Sequence, residues 1–176
     1  MQFTKYTLID TEWGTFGLAA TEKGLIKSAL PAPEPGGTEK ILLEGLSNPE
    51  FDSAYFENIE SEIKAYFQGK TANFNRLTLD MPDKTPFAIA ILGACRKINF
   101  AQTTTYAQLA SLANHPKASR AAGSVLAKNP LPLIIPCHRV IRSDGATGRF
   151  SCPGGLPLKK RLIHLEKQSQ IFHLSN

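Results

Sequence analysis

Cys137, His138 and Arg139 stand side by side in "LPLIIPCHRVIRSDGATGRF", Leu131 to Phe150. A cysteine acts as a nucleophile or metal ligand only as the thiolate, and nearby positive charge or a base favours that form. His138 can be the base. Arg139 can add charge, or it can be an anchor that ties the segment down. Pro136 fixes its own φ and interrupts strand pairing, so the apolar run Leu133-Ile134-Ile135 is expected to be a buried strand that ends there. Neighbours on a strand face opposite ways, so His138 serves Cys137 only across a bend or through a water. The pair by itself leaves a catalytic thiol and an inert buried one both open. A metal site is not expected: Cys95, Cys137 and Cys152 form no CxxC, and the histidines add no ligand spacing. Three scattered thiols suit a reducing compartment better than a disulfide framework.

The elements that must hold this segment lie just before it. In "TTTYAQLASLANHPKASRAAGSVLAKNP", Thr105 and Gln108 have capping-box spacing, which predicts a helix from about Tyr106. Asn114-His115-Pro116 breaks it. A second helix restarts at Lys117 and runs to about Lys128, where Asn129-Pro130 ends it. Two short helices joined by a tight turn outline a helix-turn-helix, although many helical hairpins bind nothing. Ala118, Ser119, Ala121, Ala122 and Gly123 are all small, with Arg120 among them. Such a face permits close approach, either to the protein's own interior or to a DNA groove into which one long cation reaches. It lacks the long polar side chains of a major-groove reader, so shape-tolerant contact is expected.

Charge supports the second choice. The net +5 hides a split: residues 1–84 hold 8 Lys+Arg against 13 Asp+Glu, and residues 85–176 hold 12 against 2. A basic half suggests a polyanion, most simply nucleic acid, although charge alone is also compatible with a solvated surface. "LDMPDKTP", Leu79 to Pro86, is the expected boundary between an α/β support domain (1–84) and a mainly α domain (85–176). The first half reads as strands at "FTKYTLIDT", "GTFGLAAT" and "GLIKSAL", followed by a helix from Ser53 to Gln68. It shows no motif that carries chemistry. The second half opens with a helix over Phe87–Ile98, whose apolar stripe makes Cys95 a core thiol. No run of about 18 apolar residues occurs, and the start lacks a signal-peptide pattern. A cytoplasmic location is expected, nuclear in a eukaryote.

"IPCHRVI", with "NP" eight residues before the cysteine and Tyr…Asn-His-Pro-Lys-Ala-Ser-Arg ahead of it, resembles the O6-alkylguanine-DNA alkyltransferases. The resemblance is specific over residues 85–167 and architectural over 1–84, where it implies a ribonuclease-H-like sheet. It implies that Cys137 accepts the alkyl group irreversibly and once. His138 would deprotonate Cys137 through a water, and Glu166 would orient His138. Asn129 would brace the turn. Arg120 would fill the place of the flipped nucleotide, and Tyr106 would help rotate its phosphate. Ala118, Ser119, Ala121 and Gly123 would line the minor groove, with Lys128 as a further DNA contact. The carbonyls of Cys137 and Val140 would receive the guanine amino group, with Phe150 stacking and Ser151 at the O6 side.

Two departures stand out. Better-known members carry Gly-x-Tyr-Ser-Gly-Gly, whose tyrosine hydroxyl is expected to serve the leaving guanine. Here Phe150 lacks that hydroxyl, and Cys152-Pro153 is an insertion. Cys152 is read as a small loop residue. The resemblance also implies that Glu166→Gln lowers reactivity without loss of folding. No cofactor or metal is implied. The partner would be double-stranded DNA containing O6-alkylguanine, bound by a monomer with cooperativity left open, and no membrane is implied. A damage sensor that recruits other repair factors is the alternative. A thiol hydrolase on another fold is a third reading, and the helix pair and the basic half speak against it.

Overall fold

The computed structural model describes residues 3–174. Three strands open the chain, β1 (Lys5–Thr11), β2 (Gly14–Thr21) and β3 (Gly24–Ala29), as the β-branched and aromatic runs predict. They pair antiparallel in sequence, with a register shift between Ala19 and Ala20. A short β4 (Glu50–Phe51) adds in parallel to β1, so the sheet order is β3-β2-β1-β4. One face is covered by α1 (Gly37–Leu43), which buries Leu42 on Ala19 and Ala29. Neither α1 nor β4 was expected from the sequence. The other face is covered by α2 (Glu57–Phe67), which begins later than the predicted Ser53 because Ala54–Phe56 form a 3₁₀ turn.

The second half is mainly helical. α3 (Pro86–Arg96) starts at a proline and is capped by Thr85, whose hydroxyl accepts from the Ala88 N–H. α4 (Tyr106–Leu112) carries both halves of the predicted capping box. Asn114 turns the chain at φ 64°, and α5 (Ser119–Leu126) follows. A two-stranded parallel ladder joins β5 (Thr104–Thr105) to β6 (Val140–Ile141). The long α6 (Gly155–Leu174) packs behind it. No helix among the described residues is long and apolar enough to cross a membrane.

The two halves share one apolar core. Phe16, Ile63, Tyr66 and Phe67 of the first half join Ile91, Leu92, Cys95, Leu109, Ile135 and Leu162 of the second. The seam is also tied by polar contacts. Edge strand β3 reaches the loop before Cys137: the Ser28 N–H donates to Pro130 O at 2.9 Å and its hydroxyl to Pro132 O at 2.8 Å. The Arg161 guanidinium on α6 stacks 3.7 Å from the Trp13 ring. The sheet therefore fixes the loop from which the thiol is presented.

Candidate active site

The apolar run before Cys137 is not a strand. Pro130, Pro132 and Pro136 remove three backbone donors from seven residues, so no continuous ladder can form. The segment folds into a buried turn instead. The Ile135 N–H donates to Leu131 O at 2.8 Å, and Leu133 takes the left-handed region at φ 76°. Cys137–Arg139 then form one 3₁₀ turn. Three residues per turn send successive side chains in three directions. Cys137 lines an open groove, while His138 and Arg139 both reach Glu166 inside the protein.

Asn129 holds the turn together. Its side-chain oxygen accepts from the Leu131 N–H at 3.0 Å. Its amide donates to Ile135 O at 2.9 Å and to Cys137 Sγ at 3.2 Å. One side chain thus fixes the loop and offers a hydrogen bond to the sulfur, which favours the thiolate.

Glu166 is the hub behind the thiol. It sits on α6 on the face it shares with Lys159 and Leu162, and all three are buried. Its Oε1 accepts from His138 Nε2 at 2.7 Å, from the Tyr66 hydroxyl at 2.7 Å and from an Arg139 terminal nitrogen at 3.0 Å. Its Oε2 accepts from Arg139 Nε and from the Ala101 N–H, both at 2.9 Å. Ala101 itself is held at φ 61°. Arg139 also donates to Ile98 O at 2.6 Å. Of the two roles open to Arg139, the contacts support the anchor.

These contacts set the charge states. Burial alone would raise the Glu166 carboxyl, but hydrogen bonds from His138 and Arg139 outweigh it and hold the group at about 2. Burial lowers His138, against the opposing pull of Glu166, so the imidazole rests neutral. With Nε2–H donated to the carboxylate, the free lone pair is on Nδ1, which is buried and has no hydrogen-bond partner among the described residues. Burial raises the Cys137 thiol, while the Asn129 amide and the Lys159 ammonium oppose it. The resting site is a neutral thiol beside a neutral base.

The groove in front of the thiol has a volume of about 1290 Å³. It gathers Cys137, Tyr106, Ser119, Arg120, Gly123, Phe150 and Ser151 in one wall. Gly148 has φ 71°, and a Cβ there would sit 3.3 Å from the Tyr106 hydroxyl, so a glycine lets the loop close over that ring. Asn129, His138, Val140 and Glu166 stand behind the groove rather than in its wall. Ala118, Ala121 and Lys128 are also outside the wall, with Ala121 and Lys128 exposed on the α5 side. Cys95 is fully buried and Cys152 half-buried, and burial raises both thiols, so neither is activated.

Two residues of the site were not singled out in the sequence. Lys159 is 1% exposed, donates to Val140 O at 2.6 Å, and places a cation near the thiol. Val140 O, expected to receive a guanine amino group, thus already accepts one hydrogen bond and keeps one lone pair. The available signal was a lysine at i, i+3, i+7 spacing with Leu162 and Glu166. Tyr66 comes from the half read as support. Its only signal was a tyrosine where a phenylalanine would fill the core equally well.

Comparison with known proteins covers both halves of the chain. Residues 86–168 match the model of the 6-O-methylguanine DNA methyltransferase DNA-binding domain, and residues 4–81 match that family's ribonuclease-like domain. The chain is 35% identical over 170 residues to the methylated-DNA–protein-cysteine methyltransferase of Mus musculus, covering 90% of this chain and 79% of that one. It is 38% identical over 152 residues to that of Haemophilus influenzae, covering 77% and 83%. Among solved structures, the Mycobacterium tuberculosis protein OGT in complex with DNA superposes with a TM-score of 0.77 at 28% identity, over 94% of each chain. This chain belongs to the 6-O-methylguanine-DNA methyltransferase family.

Proposed function

We propose that this protein repairs DNA by a single irreversible transfer of the alkyl group from O6-alkylguanine to Cys137. The carrying observation is Cys137 itself. Its sulfur accepts from Asn129 and lines the groove beside α5, and a His138–Glu166 pair is buried behind it. Residues 1–84 form the supporting unit and residues 85–176 the unit that meets DNA. The protein acts as a monomer on double-stranded DNA.

An O6-alkyl group is out of reach inside the duplex, so the nucleotide is flipped out, at a cost of a few kcal/mol of unstacking. Arg120 enters the gap and offsets part of that cost, while the small residues of α5 allow close approach to the minor groove. The Cys137 proton passes through a water to His138 Nδ1, and Glu166 stabilises the imidazolium that forms. The thiolate attacks the alkyl carbon. A carbon–sulfur bond forms, the carbon–O6 bond breaks, and its electron pair leaves with guanine. Phe150 stacks on the base, and the hydroxyl it lacks is supplied by Tyr106. Burial raises the Tyr106 phenol, so it stays a donor. The product is a thioether, and no group in the site can reverse it.

The test is peptide-level mass spectrometry after incubation with excess duplex DNA containing one O6-methylguanine. One methyl per protein, on Cys137 and no further, is the expected result. DNA binding without any methyl transfer would make the protein a damage sensor instead.

A further inference from the structure

We propose that Tyr66, contributed by the N-terminal half, is a positioning residue of the proton relay: its hydroxyl, bonded to the Glu166 oxygen that also receives His138 Nε2, shares the carboxylate charge and so limits how firmly His138 holds a proton. The proposal rests on the relay described above and extends it to a part of the chain without any catalytic motif.

Tyr66 lies on α2, 100 residues from Glu166 in sequence, and is fully buried. Its ring packs edge-on against Phe67 and Phe100 and tilted against Phe74. Packing alone asks only for a ring, and an unpaired hydroxyl in such a cluster would be costly. The hydroxyl is instead placed 2.7 Å from Glu166 Oε1, the oxygen that also receives His138 Nε2, and 3.4 Å from Nε2 itself.

The arrangement has one consistent proton assignment. Burial, with Glu166 next, pushes the Tyr66 phenol well above its ordinary range, so it remains a donor. Its proton points at the carboxylate. The ionised carboxylate offers His138 only lone pairs, so Nε2 must carry its proton. The basic lone pair is then on Nδ1, on the far side of the ring. Tyr66 also takes a share of the carboxylate charge, which limits how strongly Glu166 holds a proton on His138. The other groups facing His138 are Arg139 on its own turn and Lys159 on α6, both cations that disfavour imidazolium. From α2, Tyr66 is the group bonded to the relay.

The test uses iodoacetamide, which alkylates Cys137 without DNA and so separates this inference from the repair reaction. Rates on the full-length protein are followed at Cys137 by mass spectrometry between pH 5 and 9. In Tyr66→Phe the ring packing remains and the carboxylate charge falls more fully on His138. The acid limb of the profile is expected to move to higher pH by about half a unit or more. Phe67→Leu, on the same helix and equally buried but without a hydroxyl, is expected to lose stability with no movement of that limb. Superimposable profiles for Tyr66→Phe and the unaltered protein would overturn the proposal. So would an equal shift in Phe67→Leu. If Tyr66→Phe does not fold, nitrogen-15 shifts of His138 in the unaltered protein decide: a proton on Nδ1 rather than Nε2 at neutral pH refutes the assignment. Failure of methyl transfer from DNA, with the iodoacetamide result intact, would count against the repair reading alone.

Discussion

At the scale of single residues, the site is built around one buried negative charge. Glu166 is 1% exposed and Arg139 6% exposed, and their contact at 2.9 Å is a buried ion pair. Removing one partner of such a pair leaves a stranded charge in a low-dielectric interior. Glu166→Gln keeps the shape and removes the charge that compensates Arg139, which retains Ile98 O at 2.6 Å as an acceptor. The variant is expected to lose about 3–5 kcal/mol of stability, in the range measured for breaking buried pairs. The contacts thus add a cost in stability to the loss of reactivity expected from the sequence. Denaturant unfolding of the variant checks this, with alkylation rates measured only where it is folded. An unchanged midpoint would mean that Arg139 finds water when Glu166 is neutral. The Cys137 rate should fall as well, because neutral Gln cannot stabilise imidazolium.

At the scale of elements, α5 and the turn at Cys137 divide the work. Arg120 is exposed on the groove wall, whereas Cys137 is 7% exposed at its floor. A residue that assists flipping matters only when there is a stack to open. Arg120→Ala is expected to slow repair of duplex DNA by about tenfold or more, the equivalent of losing ~1.4 kcal/mol of a flipping cost of a few kcal/mol. Reaction with free O6-benzylguanine should change by less than about twofold. Equal losses on both substrates would move Arg120 from flipping to chemistry. The helices that carry this argument were legible because their signals are local: Thr105 and Gln108 sit three residues apart, and Asn114 marks the turn between them. The loop at 131–136 was misread because its apolar residues resemble a buried strand, and three prolines outweigh them. Tyr66 and Lys159 were missed for a different reason. Their partners, Glu166 and Val140 O, are chosen by packing between distant segments, and no local pattern records such a choice.

At the scale of the molecule, the charge split and the buried relay have a common origin. Residues 85–176 contain only two acids, Asp144 and Glu166. Glu166 is buried among its donors, and Asp144 is paired with Arg142 at 2.8 Å. The surface of this half is thus left to its cations, as a DNA-facing unit requires, while its one interior carboxylate is spent on the relay. That economy carries a pH cost with a definite sign. His138 has a folded-state value below its ordinary 6.5, so below that pH the unfolded chain binds a proton the folded chain refuses. Glu166, held at about 2 against an ordinary 4.5, acts the same way lower down. Both make stability rise with pH. Melting temperature should therefore fall as pH drops below about 6.5 through His138, and further below about 4.5 as Glu166 begins to be protonated, a loss on the order of 3 kcal/mol once pH reaches about 2. Scanning calorimetry from pH 7.5 to 3.5 measures the first step and the onset of the second. In His138→Asn the upper step should vanish, and the lower one should shrink but remain, because Arg139 still holds the Glu166 carboxyl down. If the upper step persists there, the acid sensitivity belongs to another group, and the neutral imidazole assigned to the resting site is wrong.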